Sequence, residues 1–182
     1  MEDKILLFKY IQVELLKWHK EKNCYHDFDN NDLSILKSLK LLFFVASVSA
    51  NKEECLLDNP FRFVAMPYGH VELDIYNYLR NSMFIEDEIK VGKRKTQIQD
   101  VNVIEVIESR IDINLRNNIQ DIIKTLKVLN NSLINYNAFD LVELSHRWSS
   151  WQKNYNNALN NNQRIANINS EDILHEDKLY VL

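Results

Sequence analysis

Apolar residues recur along most of this chain at spacings of three and four, the period of one face of an α-helix. Near residues 3 to 22, Leu7, Ile11, Leu15 and Trp18 share such a face, and Lys9, Lys17 and Lys20 lie opposite, which predicts an amphipathic surface helix. A second helix is predicted from about Leu33 to Ala50, with Asn30, Asn31 and Asp32 as capping candidates. Its stripe is Leu36, Leu39, Phe43 and Ala46, but Ile35, Leu42, Phe44 and Val45 fill the other directions, so this helix should be central. Phe61 to Met66 reads as an extended piece ended by Pro67, and Tyr68-Gly69 as a turn. A further helix is predicted from His70, with Val71, Ile75, Tyr78 and Leu79 inward.

Between Met83 and Ile98 the pattern changes. Phe84, Ile85, Ile89 and Val91 precede Gly92, and Thr96 and Ile98 follow it, which predicts a small β-hairpin. Helical spacing then returns as Ile104, Ile107, Ile111 and Leu115, and again as Ile119, Ile122, Leu126 and Leu129, with Asn117-Asn118 as the break between two helices. Leu141, Leu144, Trp148, Trp151, Tyr155 and Leu159 form the strongest stripe and predict one long helix. Ile165 and Ile168 fit an extended piece, and Ser170-Glu-Asp-Ile a short helix start.

Two glycines and two prolines in 182 residues leave few turn formers, which disfavours an all-β fold. The expectation is a mainly α protein, a compact single-domain helical bundle over residues 1–182 with a small β-hairpin or short sheet. A formal charge of −4 provides no global positive field, so nucleic acid is not an expected partner. No apolar run approaches the roughly 18 residues of a membrane span, and Met1-Glu-Asp-Lys lacks the basic start of a secretory signal, so a cytoplasmic location without membrane contact is expected. Cys24 and Cys55 form no repeated spacing and read as reduced thiols.

Candidate chemistry is sparse. Ser145-His146 sets a hydroxyl beside an imidazole, but neighbours on a helix point about 100° apart, so His146 reads as structural. An enzymatic reading would rest on His146 with acidic neighbours alone. His19, Cys24, His26 and Asp27 match no zinc spacing. Glu86-Asp87-Glu88 reads as a solvated charge run, and Lys90, Lys93, Arg94 and Lys95 as a hairpin tip kept soluble by charge. Gly69 and Gly92 are too far apart for a phosphate-cradling loop. No catalytic residue, cofactor or metal is therefore expected. Trp148, Trp151 and Tyr155 have the spacing of core residues, yet beside Arg147 they also have the composition of a protein-binding anchor.

Three segments carry a family likeness. Leu39-Lys-Leu-Leu-Phe-Phe44 looks like an opening Leu-x-Lys-Leu-Leu-Tyr/Phe helix, and Pro60 to Val71 resembles an aromatic extended piece followed by Tyr/His-Gly-Pro-Val. Leu141-Val-Glu-Leu-Ser-His146, with Trp148 and Trp151, is similar to a Leu-Ser/Thr-His motif with a downstream Trp. In this order, over residues 33–160, they resemble the Panacea (SocA-like) antitoxin family of bacterial and phage toxin–antitoxin pairs. His70 stands where the family usually has Pro, residues 86–95 match nothing in it, and the helix within residues 1–30 reads as an addition. The resemblance implies a compact helical domain that neutralises a cognate toxin by direct binding, without a cofactor. Some members are thought to be adaptors delivering the toxin to a protease. The alternative it leaves is a phage or mobile-element adaptor that binds a host protease or chaperone. Tyr68, His70, Val71, Arg147, Trp148 and Trp151 are the partner-binding candidates, because an exposed turn and large aromatics are common interface material.

Overall fold

The computed structural model describes residues 1–49, 55–57, 59–82 and 87–182. Helix α1 (Glu2–Lys22) starts with Glu2 and Asp3 and ends with His19, Lys20 and Lys22, charges that complement its dipole. The stripe Leu7, Ile11, Leu15 and Trp18 is buried as expected, but so are Tyr10, Gln12, Val13 and Leu16, so α1 is not a surface helix. Carboxylates from elsewhere cover its polar side. Lys17 reaches Glu108 at 2.8 Å, and Lys9 pairs with Asp87. An ion pair lets a lysine lie against other elements, which spacing along one helix does not reveal.

Helix α2 (Ile35–Val48) is the central helix, buried from Lys37 to Ser47. Its cap is Ser34, whose hydroxyl accepts from the Lys37 amide, and not the predicted Asn30, Asn31 or Asp32. Two of those have other tasks. Asp32 pairs with the buried Lys37 ammonium at 2.6 Å, and the Asn31 side-chain amide bonds both the N–H and the carbonyl of Thr96.

Strand β1 (Phe63–Met66) pairs antiparallel with β2 (Gly69–Glu72), setting Val64 opposite Val71 and Ala65 opposite His70. The helix expected from His70 thus starts later, as α3 (Leu73–Ser82). Steps of four from Val71 to Ile75 and Leu79 suit either conformation, and the ladder to β1 decides it. Glu72 ends the strand and starts the helix, since its buried carboxylate accepts from the Ile75 amide at 2.7 Å and pairs with Lys4.

The predicted hairpin is present as β3 (Ile89–Val91) and β4 (Thr96–Ile98). Phe84, Ile85 and Glu86 lie outside the described residues. Asp87 and Glu88 are not a solvated run, for Asp87 accepts from Tyr78 and Lys9, and Glu88 pairs with Arg110 at 3.3 Å. The basic residues Lys90, Lys93 and Arg94 are exposed on the hairpin.

Helices α4 (Asn102–Ser109) and α5 (Ile113–Leu129) break at Asp112 and not at Asn117-Asn118. The Asp112 carboxylate accepts from Asn114 N–H at 2.8 Å and so caps α5, whereas Asn117 faces solvent from inside the helix. The long helix predicted for the Trp stripe is likewise two, α6 (Ala138–His146) and α7 (Ser149–Asn160). Trp148 is extended between them (φ −74°, ψ 131°), and Glu176 caps α7 by accepting from the Ser150 amide at 2.8 Å. Leu129 and Leu159, at the ends of their stripes, are exposed. Strand β5 (Ala166–Asn167) joins the free edge of β1 and makes a three-stranded sheet, after which α8 (Ser170–His175) is capped by Asn169. One apolar cluster runs from α1 through Phe43, Phe44, Phe63 and Trp148 to Tyr180. Among the described residues, no helix is long and apolar enough to cross a membrane.

Moving the α2 cap to Ser34 makes a distinction that denaturant titration checks. Ser34→Ala is expected to cost about 1 kcal/mol, and Asn30→Ala much less; equal losses would contradict the assignment.

Candidate functional site

The three segments that carry the family likeness meet at one place. Lys40 and Phe43 come from α2, Gly69 and His70 from the turn into β2, Ser145 and His146 from α6, Trp148 from the link after it, and Ser150 and Trp151 from α7. Gly69 makes the meeting possible. Its φ is +91°, and a Cβ there would lie 2.4 Å from Ser145 Oγ and 3.0 Å from Lys40 Nζ. Only a residue without a side chain lets the β1–β2 turn press against both helices at once.

On the inner side of this turn, His70 is fully buried and satisfied at both ring nitrogens. Nδ1 lies 2.9 Å from Ser145 Oγ, Nε2 2.9 Å from Ser150 Oγ, and the ring stacks on Phe43 at 3.7 Å. The His70 amide also donates to Ser145 Oγ at 3.1 Å. Burial, with help from the Lys40 and His146 charges, holds the His70 pKa well below the ordinary histidine value, so the imidazole is neutral. One ring nitrogen then donates and the other accepts, and two serine hydroxyls can satisfy either assignment.

Lys40 is more unusual. It is fully buried, its ammonium donates to the His70 carbonyl, and among the described residues no carboxylate pairs with it. Burial alone lowers its pKa to about 7. Its signal in the sequence is a lysine inside the apolar run from Leu39 to Ala46, on a helix with no solvated face to receive it. Periodicity alone gives such a lysine no role, and the same holds for Ser145 and Ser150, which make sense only opposite a histidine 75 and 80 residues away.

The outer side of the turn is aromatic. His146 Nε2 bonds the Pro67 carbonyl at 3.1 Å, and its ring stacks on Trp151 at 3.8 Å, which stacks on Tyr155 at 4.8 Å. The Trp151 indole donates to the Met66 carbonyl at 2.9 Å and fixes this column to the end of β1. His146 is therefore a structural member of the column, with its pKa lowered by burial and by Lys40. Tyr68 projects from the tip of the turn, 58% exposed.

The six partner-binding candidates divide accordingly. Tyr68 and Arg147 are exposed, Trp151 is half-buried, and His70, Val71 and Trp148 are buried beneath them. Tyr155 joins the outer column, which agrees with the anchor reading of the stripe it shares with Trp151. A hydroxyl beside an imidazole can serve nucleophilic catalysis, but here Ser145 faces His70 in a fully buried site, and Ser150 holds the nitrogen that an orienting acid would occupy. Among the described residues, no three His, Cys, Asp or Glu side chains are placed to hold a metal ion.

Two outcomes follow from this packing. Because burial puts the folded-state pKa of Lys40 below the ordinary 10.5, the unfolded chain binds the extra proton between pH 7 and 10.5, and stability rises with pH across that window. Relative to Lys40→Met, the native chain should gain up to about 1.4 kcal/mol per pH unit there, and parallel pH profiles would show that Lys40 is not the group concerned. Gly69→Ala should lose roughly 3 kcal/mol or more, since it adds a clash to a strained φ.

The match to known proteins falls on these same segments. No curated protein and no solved structure matches the chain. The family model described as antitoxin SocA-like, Panacea domain, matches residues 39–152, more than half of the chain and all three motif segments. The chain belongs to the SocA-like Panacea domain family of antitoxins.

Proposed function

We propose that this chain is the antitoxin of a type II toxin–antitoxin pair and neutralises a separately encoded toxin by binding it directly. The observation that supports this most is the aromatic column of His146, Trp151 and Tyr155, with Tyr68 beside it, all but Tyr155 within the matched residues 39–152. Half-exposed rings whose polar atoms are tied to main-chain carbonyls are pre-organised, so they lose little freedom on binding. Arg147 lies at the rim, paired to Glu143 at 3.1 Å. His70, Val71 and Trp148 contribute as the support under this surface.

In this reading residues 1–182 act as one unit in the cytoplasm. The role is inhibition by contact and needs no catalysis, consistent with a Ser145–His70 pair enclosed away from any substrate. The adaptor function, in which a host protease or chaperone is also bound, is the second outcome that the following experiment separates.

The gene is expressed alone, with each immediate neighbour, and with both, and growth is followed by purification through a tag on this chain. One neighbour should be toxic alone, harmless with this chain, and recovered with it as a stable complex. Tyr68→Ala and Trp151→Ala should remain folded by circular dichroism but weaken that complex by roughly tenfold or more. Neighbours that are all harmless would overturn the antitoxin reading. Rescue that requires an intact host protease would favour the adaptor.

A further inference from the structure

Residues 177–182 follow α8 without entering any helix or strand, yet Tyr180 is buried in the main core. What holds this segment is side chains gripping its main chain, together with its own Lys178, whose ammonium donates to the Ile173 and Leu174 carbonyls of α8. The Trp148 indole donates to the Leu179 carbonyl at 3.0 Å, and the Asn130 amide donates to the Tyr180 carbonyl at 2.7 Å. The Tyr180 ring packs edge-on against Phe44 and Trp148, with centroids 6.3 and 5.8 Å away, and its hydroxyl lies 3.2 Å from Ser47 Oγ.

We propose that this surface is a peptide-recognition slot for an extended, tyrosine-bearing segment of a protein partner, and that residues 179–180 occupy it in the free chain. Only the identity of the partner as a toxin rests on the antitoxin reading.

Three features carry the inference. Two successive carbonyls are acceptors that every extended peptide offers, so the two donors read backbone and would accept many sequences. The ring pocket then supplies the selection, with Ser47 distinguishing Tyr from Phe. The gripping groups sit on three separate elements, at the end of α5, in α2 and at the start of α7, and none of those elements uses residues 177–182 in its own hydrogen bonding. The segment can leave with the ladders and the three gripping elements intact; what it gives up in a helix is the Lys178 ammonium on the Ile173 and Leu174 carbonyls at the end of α8.

The exposure of Val181 (59%) shows how such a ligand would run. Past the tyrosine the chain emerges into solvent, so the recognised residues need not be at the end of a polypeptide. The slot adjoins the candidate site, because the Trp148 ring that forms one wall has its centroid 4.8 Å from that of Phe43 and 6.2 Å from that of His70.

The test starts with the unmodified chain. Hydrogen exchange under native conditions should show the Trp148 indole N–H and the amides of residues 178–182 exchanging roughly tenfold or more faster than the α2 amides, through opening of this segment alone. Exchange at the α2 rate would mean that the segment leaves only on global unfolding, and would overturn the proposal.

Next, full-length Tyr180→Ala is titrated with a synthetic peptide of residues 177–182, following the Trp148 indole resonance. A saturable shift is expected, roughly fivefold weaker for the peptide with Phe in place of Tyr and absent for the peptide with Ala. No saturable shift at millimolar peptide would refute the slot. Should Tyr180→Ala fail to fold, Tyr180→Phe keeps the ring and loses only the Ser47 bond; excess peptide must then compete into the slot, and failure to do so counts equally against the proposal. No toxin enters these measurements, so their failure leaves the antitoxin reading standing, and a chain that takes the peptide but rescues no neighbour separates the two in the other direction.

Discussion

The close contact of the β1–β2 turn with α2 and α6 is the constraint from which the rest of the candidate site follows. With a hydrogen in place of a side chain at residue 69, Ser145 Oγ and Lys40 Nζ come within reach of the backbone of the turn. His70 is thereby carried into the core, where two hydroxyls and the Phe43 ring enclose it, and its carbonyl becomes the partner of a buried ammonium. The same turn puts the carbonyls of Met66 and Pro67 outward, and these anchor Trp151 and His146. One short backbone segment thus has a polar core on one side and an aromatic surface on the other.

An ammonium buried without a carboxylate is destabilising, and an apolar residue of similar length would fill the space at less cost. The directional contacts at this point explain what Lys40 contributes in exchange. The His70 carbonyl lies on the strand that positions the turn, and a donor there orients that strand against α2, which an aliphatic side chain cannot do. Lys37, one turn earlier on the same helix, is buried too; burial also lowers its pKa, but Asp32 opposes that shift. The two lysines of one helix therefore differ in kind. One has a carboxylate partner, and the other, among the described residues, has a main-chain carbonyl in its place.

How much of this was legible in the sequence depended on the range of the interaction concerned. The α2 run, the extended Phe61–Met66 piece and the hairpin around Gly92 follow from local pattern, and all three are present. The breaks were misplaced wherever a distant or subtle cap decided them. Glu176 caps α7 across 26 residues, and periodicity carried the stripe straight through Trp148 because a break at that residue preserves the spacing of three and four. At His70 the local spacing suits a helix, and the strand follows from its partner Ala65 across the turn. At the site, Tyr68, His146 and Trp151 were visible as residues, but their assembly was not. It depends on main-chain carbonyls of β1 and the turn, which carry no sequence signature.

Trp148 concentrates these features in one side chain. Sequence composition makes it an anchor, and the structure buries it completely, which would usually end its candidacy for partner binding. Yet its environment is not uniform. Its ring meets Phe43, Phe44 and His70, in a core fixed by three helices and a strand, while its indole nitrogen donates to Leu179 and the ring also meets Lys178 and Tyr180. Burial by a segment held through a few side-chain bonds, to α8 from Lys178 and to α2 from Tyr180, differs energetically from burial by the core, because the first is relieved by local opening and the second only by unfolding. Exposing the wall of the core that these residues cover requires breaking the bonds of this one segment and leaves the packing among α2, α6 and the sheet in place.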